Sequence, residues 1–269
     1  MSDLDEIRAD LRAEQDELDV IVAALPAEQW ATPTASPGWT VADQLGHLTY
    51  FDGAAALAIT DQDAFSATVD DLMQRALGNA EGADDFTLAD FRALEPSGQL
   101  SKWRANCALL DSAAATLTGD SRIGWYGPSM GAKSFLTARL MEVWAHGDDI
   151  AQAVGAERHP TDRLRHIVQL GFITRGWTYA VRRETPPEGS VRLELSSPSG
   201  AAWIFGPDDA TDVVRGSAEE FCLVVTQRAN VADTALEATG VARHWLERAQ
   251  AFAGPPSDVR PVGTRGVAL

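Results

Sequence analysis

Apolar residues repeat at helical spacing along the first part of the chain. The repeating set comprises Leu4, Ile7, Leu11, Leu18, Ile21, Val22 and Leu25. Asp3 and Glu6 suit the first turn of a helix, and Pro26 cannot continue one. The pattern therefore predicts an amphipathic helix of about six turns.

A second helix is predicted to begin after Thr40, which can cap it together with Asp43. Its apolar face consists of Val41, Leu45, Leu48 and Ala55. His47 falls at the edge of that face, next to Phe51. The following stretch, residues 61–94, has a weaker and more acidic pattern, which indicates short helices or a lid-like excursion.

Three more helices follow along the chain. Two are long, over residues 97–117 and 132–154, and Gly155 suits the C-cap of the second of them. Residues 119–131 form the loop between these two helices. A fifth helix follows Thr161 and ends before a pair of prolines.

Beyond residue 183 apolar and polar residues alternate, which is typical of strands. Residues 191–195 and 201–205 predict a hairpin, and Val213 begins a further short strand. Ser217 can cap a helix that runs to about Arg228. A last helix is predicted from residue 241 to residue 252.

These elements predict a mainly α protein. They indicate a helical bundle followed by a small α/β domain. We expect the bundle over residues 1–183, the α/β domain over residues 184–254 and a flexible tail over residues 255–269.

Composition limits the classes of partner and the cellular compartment. With 269 residues, of which 45% are hydrophobic, the chain can bury one large core or two modest ones. The net charge of -17 disfavours nucleic acid as a partner. The sequence has no apolar run long enough for a membrane span, and its first residues are acidic, so a cytoplasmic protein without membrane contact is expected. Cys107 and Cys222 fit buried free thiols.

The candidate chemistry lies in the helix over residues 132–154. Glu142 and His146 are four residues apart, so a helix would aim a carboxylate and an imidazole at the same point. A catalytic metal site needs three protein ligands and an open position, and His47 is the best candidate for the third ligand. The alternative is that each residue is a solvated or satisfied polar group, since such pairs also arise by chance.

Two segments carry a resemblance to a known family. Residues 37–48, with the sequence PGWTVADQLGHL, and residues 142–150, with the sequence EVWAHGDDI, resemble the signature segments of the mycothiol-dependent maleylpyruvate isomerases. These belong to the DinB/YfiT-like metalloprotein superfamily, so the resemblance implies an up-and-down four-helix bundle over residues 1–183. The region after the bundle resembles the family's sterol-carrier-like module. The resemblance implies a divalent metal, usually zinc, held by His47, Glu142 and His146. The same ligands would also accept nickel, iron or manganese.

The resemblance also implies mycothiol as cosubstrate. A thiol bound to the open position of the metal loses its proton at neutral pH and becomes a nucleophile. Attack on a small electrophile then gives isomerisation or S-conjugation. Only two of the 22 basic residues are lysines, a bias that agrees with an actinobacterial cell that makes this thiol. The expected partners are the thiol and the electrophile, and the protein is expected to be a monomer or a homodimer.

Further residues are assigned around the predicted metal. Asp149 is predicted to orient His146, or alternatively to pair with Arg139 or cap a neighbouring residue. Arg139 and Arg228 are candidate catalytic cations. The resemblance suggests Arg228, but the sequence favours its other interpretation, a cation at the C-terminal end of a helix that interacts with the helix dipole. Trp39 and Trp144 flank the ligands in sequence and are the candidate walls of the cofactor pocket.

Two other functions remain open from the sequence. The first is a metal-dependent hydrolase, or a natural-product tailoring enzyme, that uses metal-activated water and no thiol. The second is a non-catalytic bundle that binds a small ligand and whose metal is structural or absent. A test of thiol dependence distinguishes the first alternative from the thiol-dependent enzyme. A measurement of metal content distinguishes the second alternative from it.

Overall fold

The structure is a computed structural model that describes residues 3–76, 80–127, 129–265 and 267. It divides into two compact units, the first ending at Ala156 and the second covering Glu157–Val267. This division lies before the domain boundary predicted at residues 183 and 184. The difference arises because the helices that follow Glu157 pack within the second unit, against its other helices and its sheet.

The described residues of the first unit form six α-helices and a short strand pair. They are α1 (Asp3–Ala23), α2 (Val41–Thr60), α3 (Gln62–Ala76), α4 (Ala80–Arg92), α5 (Pro96–Ala114), β1 (Arg122–Ile123), β2 (Met130–Gly131) and α6 (Ala132–Val154). Helices α1 and α2 each pack against α5 and α6, which makes a bundle of four, while α3 and α4 pack on the outside of α2. The predicted helices are thereby confirmed, whereas the strand pair falls in a region predicted to be a loop.

The start of α2 is fixed by hydrogen bonds that the sequence predicts. Thr40 Oγ1 accepts from the backbone amide of Asp43, and the Asp43 carboxylate accepts from the backbone amide of Thr40, which completes a capping box. Arg92 at the end of α4 donates to the same carboxylate over 2.7 Å. A side chain at Gly46 would meet Leu88 and Phe91 at 3.0 Å, so the glycine permits the close approach of α4. These contacts fix the helix turn that carries His47.

A buried ion pair lies inside the bundle. Arg139 of α6 is 3% exposed and donates to Asp52 of α2, which is fully buried, over 2.8 and 3.1 Å. Gln15 of α1 donates to the other Asp52 oxygen over 3.2 Å. The Cys107 thiol of α5 lies 3.6 Å from that oxygen, and burial and the Asp52 charge raise its pKa. All four helices of the bundle therefore contribute to one polar cluster.

The second unit contains four helices and a mixed sheet. Its elements are α7 (Leu164–Ile173), α8 (Arg175–Ala180), β3 (Val191–Ser196), β4 (Ala202–Phe205), β5 (Asp212–Ser217), α9 (Ala218–Val225), β6 (Glu237–Ala238) and α10 (Gly240–Leu246). The strand order is β4-β3-β5-β6. Strands β3 and β4 form the predicted hairpin, whereas β3 and β5 pair in parallel and β5 and β6 pair antiparallel. The fold class predicted from the sequence, mainly α with a small α/β part, is confirmed.

Helices of the second unit are shorter than the sequence pattern predicts. The fifth predicted helix is broken at Thr174, whose hydroxyl donates to the carbonyls of Leu170 and Gly171. Thr226 binds the Cys222 carbonyl in the same way where α9 ends, before Arg228. Such hydroxyl bonds compete with continuation of the helix.

The last residues of the chain also make specific contacts. Ser257 donates its backbone amide and its hydroxyl to side chains of the second unit, and the Arg260 carbonyl accepts a hydrogen bond from Asn230. The described residues of the region predicted as a flexible tail, 255–265 and 267, thus have no regular secondary structure but are hydrogen-bonded to the unit. Across the part of the chain that the structure describes, no helix is both long enough and apolar enough to cross a membrane.

Candidate metal centre

Helices α2 and α6 bring three potential ligands together in the first unit. Glu142 and His146 lie one turn apart on α6, with 3.2 Å between Glu142 Oε2 and His146 Nε2. His47 approaches from α2, and its Nε2 lies 3.7 Å from the same carboxylate oxygen. The three donor atoms lie within 4.8 Å of one another.

The donor set has the composition and size of a divalent metal site. Ligands about 2.1 Å from a tetrahedral ion are roughly 3.4 Å apart, close to the two distances measured here. The side chains of His47 and Glu142 are 20% and 22% exposed, so the cluster can be reached from solvent. Two imidazoles and one carboxylate also leave a coordination position open. The residues present therefore fit such an ion.

Electrostatics at the cluster favour a charged carboxylate. Burial raises the pKa of Glu142, but when the two imidazoles are protonated, hydrogen bonds and positive charge from His146 and His47 outweigh that effect, so its pKa lies well below the usual range. An ionised carboxylate is the form that coordinates a cation.

The other nitrogen of the His146 ring faces α2. His146 Nδ1 forms a short hydrogen bond with Gln44 Oε1. The Gln44 amide nitrogen in turn donates to Thr34 Oγ1 over 2.8 Å and to Ser36 Oγ over 2.9 Å. Ser36 donates to the Asp149 carboxylate over 3.4 Å. Asp149, predicted to orient His146 directly, is thus connected to it through Ser36 and Gln44.

Trp39 covers the two histidines from the loop before α2. Its ring lies 5.2 Å from that of His47 and 6.0 Å from that of His146, nearly parallel to the latter. The indole nitrogen donates to Asp84 of α4 over 2.9 Å, which fixes the plane of the ring. Trp39 therefore packs against both histidines, whereas Trp144 is only 7% exposed within α6. Their role as walls of a cofactor pocket stays a prediction.

Aromatic side chains continue away from His47. The Phe51 ring lies 4.5 Å from the imidazole, and Tyr126 and Trp125 pack against Phe51 at 5.5 and 6.2 Å. Phe65 stacks beneath Trp125 at 5.4 Å. Phe51, Trp125 and Tyr126 are partly exposed. They form a row of aromatic rings, which we call the aromatic row, that begins at a candidate ligand.

The two candidate catalytic arginines have different surroundings. Arg139 is buried with Asp52 in the polar cluster of the bundle, so the alternative pairing of Asp149 with Arg139 is not the contact that forms. Its burial argues against contact with a substrate. Arg228 lies in the second unit and donates to the Thr226 carbonyl over 2.8 Å. Its role toward a substrate stays a prediction.

Sequence reasoning did not identify Gln44. It is fully buried, and it lies on the helix face that carries Val41, Leu45 and Leu48. An amide on an apolar face, one turn before a candidate ligand, is the signal that could have found it, because a buried amide must have hydrogen-bond partners.

Comparisons with known proteins agree with these features. The family model for the mycothiol maleylpyruvate isomerase N-terminal domain matches residues 11–151, which is more than half of the chain. Two uncharacterized proteins of Mycobacterium tuberculosis, one from each of two strains, are 45% identical over 95% of this chain and 98% of their own length.

Two solved structures have the same fold. One is a crystal structure of the mycothiol-dependent maleylpyruvate isomerase, with a TM-score of 0.56 and 20% identity. The other is a histidine-to-alanine mutant of that enzyme, with a TM-score of 0.57 and 18% identity. Each match covers 88% of this chain and 92% of the solved chain. Since the family model spans both helices that carry the cluster, the chain belongs to the mycothiol maleylpyruvate isomerase N-terminal domain family.

Proposed function

We propose that this protein is a divalent-metal-dependent enzyme that uses a low-molecular-weight thiol, mycothiol or a close analogue, to isomerise or S-conjugate a small electrophile. The observation that carries the proposal is the convergence of His47, Glu142 and His146 from α2 and α6. Membership of a family named for a mycothiol-dependent isomerase supports the choice of thiol.

The three side chains would hold the ion, with zinc as the first candidate and nickel, iron or manganese as alternatives. When bound, such an ion supplies the positive charge that stabilises a thiolate at neutral pH. The chain's own residues set the geometry: α6 fixes Glu142 relative to His146, and the capping box of α2 fixes the turn that carries His47.

A small-molecule thiol is favoured over a cysteine of the protein. Burial and the Asp52 carboxylate raise the pKa of Cys107, and burial raises that of Cys222 well above its usual value. Both side chains are therefore held as thiols and are poor nucleophiles. The reactive sulfur has to come from a cosubstrate.

The surroundings of the cluster suit an apolar or planar part of the ligands. Trp39 and the aromatic row offer ring faces next to the open side of the two histidines. In the first unit Arg139 and Arg92 are each engaged by a carboxylate, Asp52 and Asp43 respectively. A role for Arg228 of the second unit toward an anionic group stays a prediction from the family resemblance.

Metal content tests the first half of the proposal. Purified wild-type protein should contain one ion per chain by elemental analysis, and His47→Ala and Glu142→Gln should each lose it. His159→Ala, in an exposed loop of the second unit, is the matched control and should keep the ion. Wild-type protein that neither contains nor takes up a divalent metal would contradict the proposal and favour the ligand-binding alternative.

Thiol dependence tests the second half. Mycothiol at about 100 times its Kd should stabilise the metal-loaded protein by about 2.7 kcal/mol, because it binds only the native state. The same thiol should be required for turnover of an electrophile, and His47→Ala should abolish that turnover. Equal turnover without thiol would instead indicate the metal-dependent hydrolase.

A further inference from the structure

Gln44 connects a candidate metal ligand to the loop before α2, and both ends of its amide are bound. Its carbonyl oxygen faces His146 Nδ1, and its nitrogen faces Thr34 and Ser36. We propose that Gln44 is a positioning residue that fixes His146 in the tautomer with a proton on Nδ1, so that the Nε2 lone pair is available to the metal. The effect on metal binding rests on the proposed function, whereas the effect on the His146 tautomer does not.

The two hydroxyls determine which way the Gln44 amide points. Thr34 Oγ1 donates to the Trp39 carbonyl over 3.0 Å, and Ser36 Oγ donates to Asp149. A hydroxyl has one proton to donate, so both hydroxyls can only accept from Gln44. The amide nitrogen, with its two protons, must therefore face them.

The orientation of the Gln44 amide determines which nitrogen of His146 carries the proton. A carbonyl oxygen only accepts, so the short contact with Nδ1 requires a proton on that nitrogen. In the neutral ring Nε2 is then unprotonated, and it is the nitrogen that faces Glu142 Oε2 at 3.2 Å. The hydrogen-bond chain from Asp149 through Ser36 and Gln44 thus leaves the Nε2 lone pair of His146 available to a metal ion.

Without Gln44 the neighbouring carboxylate would favour the opposite tautomer. A proton on Nε2 could be donated to Glu142, and that internal hydrogen bond would occupy two candidate ligands at once. Gln44, which is fully buried, disfavours this His146–Glu142 hydrogen bond because it accepts the proton on Nδ1, at the other side of the ring. Substitution of a residue that hydrogen-bonds to a metal ligand commonly lowers metal affinity by about 10- to 100-fold.

The experiment compares three substitutions in the full chain. Gln44→Leu removes the acceptor, and Gln44→Glu keeps an acceptor for Nδ1. Gln99→Leu is the matched control, because Gln99 is a buried glutamine on α5 that donates to the Phe91 carbonyl. Two readouts are used: zinc affinity by chelator competition, and the His146 tautomer by two-bond proton–nitrogen NMR correlation in metal-free protein at a pH where the ring is neutral.

We expect Gln44→Leu to lower zinc affinity about 10- to 100-fold and to move the proton to Nε2. Gln44→Glu should leave the proton on Nδ1, because its carboxylate still accepts there, and Gln99→Leu should change neither readout. If Gln44→Leu does not fold, Thr34→Val replaces it, since it removes one of the two acceptors that orient the amide and should lower zinc affinity in the same direction.

The possible failures are distinguishable. Wild-type protein with its proton on Nε2, or a folded Gln44→Leu that keeps Nδ1 protonated and binds zinc as the control does, overturns the inference. Wild-type protein that binds no zinc but loses its Nδ1 proton in Gln44→Leu supports the role of Gln44 and overturns the proposed function.

Discussion

Replacing Arg139 by methionine separates a structural role of this arginine from a catalytic one. Methionine has a similar length but no charge, so Asp52 would remain in the bundle core with Gln15 and Cys107 as its partners. Removing one member of a buried ion pair costs about 3–5 kcal/mol. That is a large part of the roughly 5–15 kcal/mol by which domains are stable.

The control is an exposed pair between α1 and α5. Arg104 donates to Asp19 over 2.6 and 2.8 Å, but the Arg104 side chain is 52% exposed. Breaking it with Arg104→Met should cost about 0–1 kcal/mol, because solvent screens the charges.

Urea unfolding of the two variants and of the double variant Arg139→Met with Asp52→Leu measures these energies. The double variant should recover most of the loss, since apolar replacement of a whole buried pair is often neutral. A cost below about 1 kcal/mol for Arg139→Met, similar to that of the exposed pair, would refute the assignment of a structural ion pair.

Three further predictions concern Asp43, Cys107 and Trp39. Burial raises the pKa of Asp43, but hydrogen bonds from Arg92 and Thr40 outweigh it and lower the pKa below 3.8. The stability that Asp43 adds relative to Asp43→Asn should be complete above that value and fall as the pH decreases below it, as measured by unfolding at a series of acidic pH values. The raised pKa of Cys107 predicts slow reaction with a thiol reagent in native protein and fast reaction in urea. Cobalt or nickel binding should quench Trp39 fluorescence, since its ring lies 5.2 Å from that of His47, and Trp39→Phe should remove that part of the signal.

Each of these has a contrary outcome. A stability difference between wild type and Asp43→Asn that does not change between about pH 5 and pH 2 would show that the pKa is not lowered in the folded state. Rapid labelling of Cys107 without denaturant would contradict its burial. Equal quenching in Trp39→Phe would mean that the ion binds elsewhere.

Features fixed by neighbours in the chain could be predicted from the sequence. Helix α6 has the predicted bounds because Gly155 adopts the left-handed conformation, with a φ of 67°, that ends it. The capping box at Thr40 and the spacing of Glu142 and His146 are local in the same sense. That His47 approaches them depends on packing, and its assignment came from the ligand count of open metal sites together with the family resemblance.

Features fixed by distant partners were not predicted. Gln44 binds a ring 102 positions away, and no local pattern identifies that partner. The parallel pairing of β3 with β5 also depends on which distant segment a strand joins. A pattern of apolar residues predicts which face of an element is buried, but it does not predict the partners of the polar groups on that face.

The polar pairs between α2 and α6 form an ordered series along the two helices. Residue 44 meets residue 146, residue 47 meets residue 142, and residue 52 meets residue 139, so the two helices run antiparallel with one register. The ion pair lies about 7.5 Å further along α2 than His47, at 1.5 Å per residue. A slip of one helix against the other would leave every one of these groups without its partner. Buried polar pairs of this kind can fix register at a cost in stability. The double variant that removes the Arg139–Asp52 pair should therefore unfold at a urea concentration near that of wild type yet bind zinc more weakly; unchanged zinc affinity would show that the ligand cluster holds the register by itself.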